Sequence, residues 1–174
     1  QHFLSPLFSP RSIVVFAGNP ETPDGRGLLA RTLVRELTES GFAGEITYLD
    51  AQMTGTLSAL AHSRADLAVI ALPHEEIAAA LEIAGRIRCR AALVVSSGLP
   101  SGNCAELQTI ARRHGVHLLG PNSLGFQRPH LKLNASVAGP LAAPGPLALV
   151  SQSGALTSSI LDWARNNGVG FSTV

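Results

Sequence analysis

The stretch LLGPNSLG (118–125), followed by LNAS (133–136), PLALVSQSGAL (146–156) and ILDWARNNGVGFS (160–172), decides how this chain folds. The first motif closes one α/β unit on an apolar strand and a Gly-Pro turn. PLALVSQSGAL opens another, a strand that passes through a serine-glycine turn into a helix. Upstream, SIVVFA (12–17), EITYLD (45–50), LAVIAL (67–72), AALVVS (91–96) and VHLLG (116–120) are short runs rich in Val, Ile and Leu. Such runs mark strands buried on both faces of a parallel sheet. Between them lie helical patterns at 27–41, 56–63, 75–87 and 104–115. Leu29, Leu33, Val34 and Leu37 share one face of the first, and Gly41 is placed to terminate it. Strands alternating with helices predict a doubly wound parallel α/β sheet over roughly residues 10–125.

Residues 126–145 change character, because Pro129, Gly139, Pro140, Pro144 and Gly145 break any long helix or central strand, and they read as a linker. Residues 146–174 then restart as strand (146–151), helix (153–168) and strand (169–174), one βαβ unit too small to bury its own core. The expectation is a chain that stops inside this second domain; the alternative is that these strands extend the first sheet. If the domain is incomplete, VGFSTV (169–174) presents an apolar edge, and such edges recruit partners, so a homodimer through 146–174 is expected.

Composition narrows the classes of function. At 174 residues, with 45% hydrophobic and 14% charged, the chain can bury a substantial core. A net charge of +1 offers no field for a nucleic acid or an anionic membrane. The apolar runs fall well short of the roughly 20 residues that cross a bilayer. QHFLSPLFSPRS (1–12) lacks the basic and long apolar regions of a signal peptide, so a cytoplasmic location is expected. Cys89 and Cys104 read as reduced thiols.

In an open parallel sheet, ligands bind outside the carboxyl ends of the strands, near the switch in strand order. The turn AGNPETPDGRG (17–27) after the first strand carries Gly18, Gly25 and Gly27 into a helix start whose amides can hold a phosphate, or it is a purely structural turn. Asp50 ends the second strand, where a dinucleotide-binding unit places an acid on the ribose. The G-x-G-x-x-G fingerprint is missing, so NAD binding stays the lesser alternative and Asp50 reads as a turn or cap residue. His74 reads as a helix-start residue, and His114 and His117 fall on different elements, which predicts no metal site. VSQSGAL (150–156) imitates a nucleophile elbow, but it lacks the leading glycine and no histidine follows within these residues. A helix start with Ser151, Ser153 and Gly154 suits a phosphoryl group or another anion better. No catalytic residue is assigned.

Seven blocks in order, LFSPRSIVVFAGN (7–19), DLAVIALP (66–73), AALVVSSG (91–98), LLGPNSLG, LNAS, LALVSQSGAL (147–156) and ILDWARNNGVGFS, resemble the nucleoside-diphosphate-forming acyl-CoA synthetases. That superfamily includes the succinyl-CoA synthetase α subunit, ADP-forming acetyl-CoA synthetases, and protein lysine acetyltransferases fused to an inactive synthetase-like region. The resemblance implies a CoA-binding Rossmann-like domain at 1–125 and the start of a flavodoxin-like ligase domain at 146–174. It implies that Gly18 and Asn19 approach CoA phosphates, that Pro73, Ser97 and Gly98 line the pantetheine path, and that Pro121 and Asn122 sit near the thioester. Ser151 and Ser153 would belong to the helix start that receives a phosphohistidine. CoA or acetyl-CoA is the implied cofactor, with ATP or ADP reached only through further ligase or ATP-grasp domains in the same or another chain. Two departures predict weakened CoA affinity: Ala17-Gly18-Asn19 replaces the family's usual Gly-Ala-Ser, and 49–66 is compressed. The resemblance thus implies the CoA-binding portion of an acid-thiol ligase or of the regulatory region of a protein lysine acetyltransferase; a CoA-sensing module without catalysis is the alternative reading.

Overall fold

The structure is a computed structural model that describes residues 2–18, 27–49, 64–100 and 102–174. Its contacts divide the chain into two compact units: residues 1–31 with 44–123, and residues 32–43 with 124–174.

The first unit is built on five parallel strands, β1 (Ser12–Phe16), β2 (Glu45–Leu49), β3 (Leu67–Ile70), β4 (Ala91–Val94) and β5 (His117–Leu119), in the order β2-β1-β3-β4-β5. The register is regular, with Val14 opposite Ala68 and Val69 opposite Leu93. Strands β3 and β4 are buried throughout, as their unbroken apolar sequences require. Helix α1 (Ser5–Phe8) precedes the sheet, and α3 (His74–Arg86) and α4 (Asn103–His114) follow β3 and β4. Ile77, Leu81 and Ala84 of α3 pack with Leu107, Ile110 and Ala111 of α4 and with Phe16, Ile70 and Val94 of the sheet in one core. The α4 helix ends at Gly115, whose left-handed conformation closes the last turn. His114 is spent on this packing: its Nε2 lies 2.8 Å from Glu82, which Arg113 also engages.

Helix α2 (Leu28–Glu39) follows β1 in the chain. Leu33 and Leu37 are buried, but Leu29 is exposed and Glu36 is buried in its stead. A run of apolar spacing does not reveal that a carboxylate has a partner waiting for it. The later part of its own unit, which takes 32–43 together with 124–174, supplies that partner. A hairpin of β6 (Gly125–Arg128) and β7 (Leu133–Ser136), joined by a 3-10 turn at Pro129–Leu131, lies where the composition reads as linker. Its strands are four residues each, short enough for the flanking prolines and glycines to bound them. Asn134, fully buried, donates to Glu36 Oε2 at 3.1 Å and to the Gly139 carbonyl at 3.0 Å. Ser136 Oγ donates to Asn134 Oδ1 at 2.7 Å, and Gln127 Nε2 donates to Ser136 Oγ at 3.2 Å. Arg35 holds the other Glu36 oxygen at 2.8 Å, and that hydrogen bond and charge raise the Arg35 pKa above its ordinary value.

Strand β8 (Pro144–Ala148), helix α5 (Gly154–Asn166) and strand β9 (Phe171–Thr173) complete this unit, with β8 and β9 pairing parallel in a sheet of their own. They therefore do not pair with the five-stranded sheet. Leu161 and Ala164 of α5 pack on Phe171 with Leu149 and Val169. The open edge expected of VGFSTV is corrected by the structure: Gln127 and Val174 exchange backbone hydrogen bonds at 2.9 and 3.0 Å, so β6 occupies that edge. The sequence pattern missed it because the covering strand lies in the stretch read as linker.

Candidate functional site

The strand order places the topological switch between β1 and β3, and a ligand crevice is expected where those two strands end. Gly18 leaves β1 with a left-handed φ of 72°, and the β3 exit runs through buried Leu72 to exposed Pro73. Asn19 and Asp50, together with the helical pattern at 56–63, lie outside the described residues.

Hydrogen bonds tie the next two exits to that of β3. Buried Ser96 donates its hydroxyl to the Leu72 carbonyl at 2.7 Å and accepts the Leu72 amide at 3.0 Å. The Ser96 carbonyl accepts the Asn122 amide at 2.9 Å, across from the cis Gly120-Pro121 peptide. One serine thus fastens the loops after β3, β4 and β5 into a common rim, and none of the motif-based readings singled it out. Its signal was present in the sequence: a hydroxyl ending an otherwise apolar strand needs a buried partner.

Ser97 and Gly98 follow on the exposed side of that rim, and a side chain at Gly98 would meet open space. Pro121 is half-buried and Asn122 exposed in a left-handed conformation, φ 58°. Gly18, Pro73, Ser97, Gly98, Pro121 and Asn122 therefore all fall on strand exits of the first unit. His74 opens α3 and its Nε2 lies 3.3 Å from the exposed neighbour Glu75, an arrangement with no buried acid-base partner.

Ser151, Ser153 and Gly154 belong to the second unit. Ser153 caps α5, its Oγ accepting the Leu156 amide at 3.3 Å, while Ser151 Oγ accepts the Ser153 amide at 3.0 Å. All three lie at the start of a 13-residue helix, and the two serines are exposed. Such a turn offers amide donors and a positive dipole end. Among the described residues no group of three or more His, Cys, Asp or Glu is arranged to hold a metal. No helix among them is long and apolar enough to cross a membrane.

The described residues thus form a parallel α/β unit with glycine-bearing strand exits and a second unit in which two parallel strands flank a serine-capped helix. Known proteins carry the same succession. Residues 144–174 match the family model described as the succinyl-CoA ligase like flavodoxin domain. Acetate–CoA ligase (ADP-forming) I of Archaeoglobus fulgidus is 30% identical over 97% of this chain and 26% of its own length. The α subunit of acetate–CoA ligase (ADP-forming) I of Pyrococcus furiosus is 30% identical over 98% of this chain and 40% of its own. Among solved structures, a dinucleotide forming acetyl-coenzyme A synthetase 1 of Ca. Korarchaeum cryptofilum, in complex with phosphate and ADP, superposes with a TM-score of 0.83 at 25% identity. That superposition covers 98% of this chain and 38% of the synthetase. Over nearly its whole length the chain is similar to ADP-forming acyl-CoA ligases, and it spans between 26% and 40% of the length of the relatives named here.

Proposed function

We propose that this chain is the CoA-binding portion of an ADP-forming acyl-CoA synthetase. The observation that carries the reading is the rim fastened by Ser96. It sets Pro73, Ser97-Gly98 and Pro121-Asn122 side by side at the carboxyl ends of β3, β4 and β5, next to the switch point marked by Gly18.

The residues fit such a ligand. Gly18 would face its phosphates, a role that the resemblance alone extends to Asn19; Pro73, Ser97 and Gly98 would flank the pantetheine arm, with open space at Gly98, and Pro121 with Asn122 would stand at the thiol end. Bound CoA supplies the thiol that accepts an acyl group. The chain's own contribution is to orient that arm along the rim and to shield one side of it with the Pro73 and Pro121 rings. Ser151, Ser153 and Gly154 would present amides and hydroxyls to a phosphoryl group delivered from elsewhere in the enzyme. The domains we propose are the CoA-binding unit at 1–125, the connecting segment 126–145 and the beginning of a ligase domain at 146–174. Their partners would be the remaining ligase and ATP-grasp regions, in the same or another chain, in the cytoplasm. A homodimer through 146–174 loses its reason where Gln127 occupies the β9 edge.

Calorimetric titration with CoA, acetyl-CoA and NAD tests the reading. Saturable heat with either CoA species and none with NAD is expected. Silence to both CoA species up to millimolar concentration would sink CoA binding as a property of this chain. A ligase parent and a regulatory acetyltransferase parent differ in whether a histidine-bearing ligase domain with an ATP-grasp region, or an acetyltransferase domain, accompanies these residues in the full reading frame.

A further inference from the structure

The opposite end of the five-stranded sheet, where the strands begin, gathers positive charge. Arg11 precedes β1, Arg64 and Asp66 precede β3, and Arg88 and Arg90 precede β4. Parallel pairing of β1 with β3 and of β3 with β4 brings these three loops side by side. They line a cavity of about 510 Å³, within the size range of small-molecule sites. Among the described residues, four arginines stand around this cavity, against one carboxylate.

That carboxylate is already engaged. Asp66 Oδ2 accepts the Arg11 amide at 2.8 Å and lies 3.6 Å from Arg11 Nε. The Asp66 carbonyl accepts the amides of Arg90 and Ala91 at 3.2 and 3.3 Å, and its own amide donates to Ser12 Oγ at 3.2 Å. The floor is therefore fixed by backbone bonds. Arg64, Arg88 and Arg90 form no ion pair among the described residues.

Arg88 adds an independent observation. Helix α3 ends with the Arg88 amide on the Gly85 carbonyl at 3.1 Å and the Cys89 amide on the Ala84 carbonyl at 3.0 Å, a Schellman closure. Its left-handed position, φ 63°, is held by Arg88 where glycine would sit without strain. The fold tolerates a disfavoured residue at the one point of that turn that faces the arginine-lined cavity.

We propose that this cavity is a binding site for a small molecule bearing a phosphate or pyrophosphate group, separate from the strand-exit rim. Guanidinium groups suit such a ligand because each presents a planar fork of donors to two oxygens at once. Three unpaired forks at adjacent loops match a multiply charged oxyanion and exceed what a single carboxylate needs. The site does not rest on CoA binding, since it lies at the other end of the sheet.

The full chain, isotopically labelled, should be titrated with inorganic pyrophosphate at low ionic strength, following amide resonances and heat. Saturable one-to-one binding is expected, with shifts centred on 64–66 and 88–91. The decisive variant is Arg88→Gly, which removes a fork while relieving the backbone. It should weaken pyrophosphate binding about tenfold, raise or preserve the thermal midpoint, and leave the CoA titration unchanged. Arg90→Ala should weaken pyrophosphate to a similar degree. The proposal is overturned by absence of saturation, by shifts centred on the strand exits, by undiminished affinity in both variants, or by binding confined to acidic peptides.

Discussion

Gly120 and Gly98 both adopt left-handed backbone angles, φ 94° and 77°, yet they answer to different demands. A Cβ at Gly120 would overlap the Val94 carbonyl oxygen, whereas one at Gly98 would meet nothing within 4 Å. Gly120→Ala should therefore cost about 3 kcal/mol by combining strain with overpacking. Gly98→Ala should cost about 1 kcal/mol, from backbone strain alone, while lowering CoA affinity if the pantetheine arm passes there. Urea unfolding paired with CoA titration separates the two effects. Cys89 makes a pH prediction. Burial, with a smaller contribution from the Asp66 charge, pushes its thiol from 9.0 up to about 12. Above pH 9 the unfolded thiol ionises while the folded one keeps its proton, so unfolding is favoured as pH rises from 9 toward 12. Cys89→Ala should flatten that alkaline loss in a series of urea midpoints. At this scale the sequence was legible wherever a residue's role is local. The Gly-Pro-Asn turn at 120–122 could be placed at a strand end, but Ser96 could not be assigned as the fastener, because its partner Leu72 lies 24 residues away.

The elements show the same division between local and distant causes. Strands β1, β3 and β4 and helices α3 and α4 follow directly from apolar runs and their spacing, since burial on both faces or on one stripe writes itself into composition; β2 and β5 form as expected but, at the sheet edges, stay exposed or half-buried. The LNAS strand was recognisable as a motif, but its purpose was hidden: Asn134 reaches Glu36, 98 residues earlier. Asn134→Ala should destabilise the protein by about 2–3 kcal/mol, because a buried carboxylate and two further polar groups lose a partner together. Glu36→Gln, which keeps an acceptor for Asn134, should cost less, and comparison of the two by chemical denaturation tests the network. At α5, Ser153→Ala should cost about 1 kcal/mol through loss of the cap. Ser153→Asp preserves the cap and sets a negative charge at the helix start, so it should retain stability yet diminish phosphate binding in titration, if the proposed anion role holds.

At the scale of the molecule, one charged surface was invisible in sequence. Arg11, Arg64, Arg88 and Arg90 are scattered along the chain, and only parallel pairing of adjacent strands assembles them; a net charge of +1 conceals the cluster entirely. Large apolar side chains also stand exposed in the second unit: Val150 is 93% exposed and Trp163, the sole tryptophan, 59%. If a ligase region completes this unit, as proposed, its presence should shield Trp163, and acrylamide quenching of chains with and without that region measures the difference. Undiminished quenching would argue that α5 faces solvent in the longer protein too. The two units also interleave in sequence, for the second takes 32–43 from before most of the first. A fragment beginning at 126 would leave Asn134 without Glu36, and it should fold less cooperatively than the intact chain by circular dichroism.

The Asn134–Glu36 hydrogen bond has a further consequence, in time. During synthesis the turn of α2 that carries Glu36 emerges early and waits while some 98 residues follow before its acceptor meets the asparagine that completes it. The first unit has all its strands in hand by Leu119. The buried carboxylate thus passes that interval in water, and the second unit closes last.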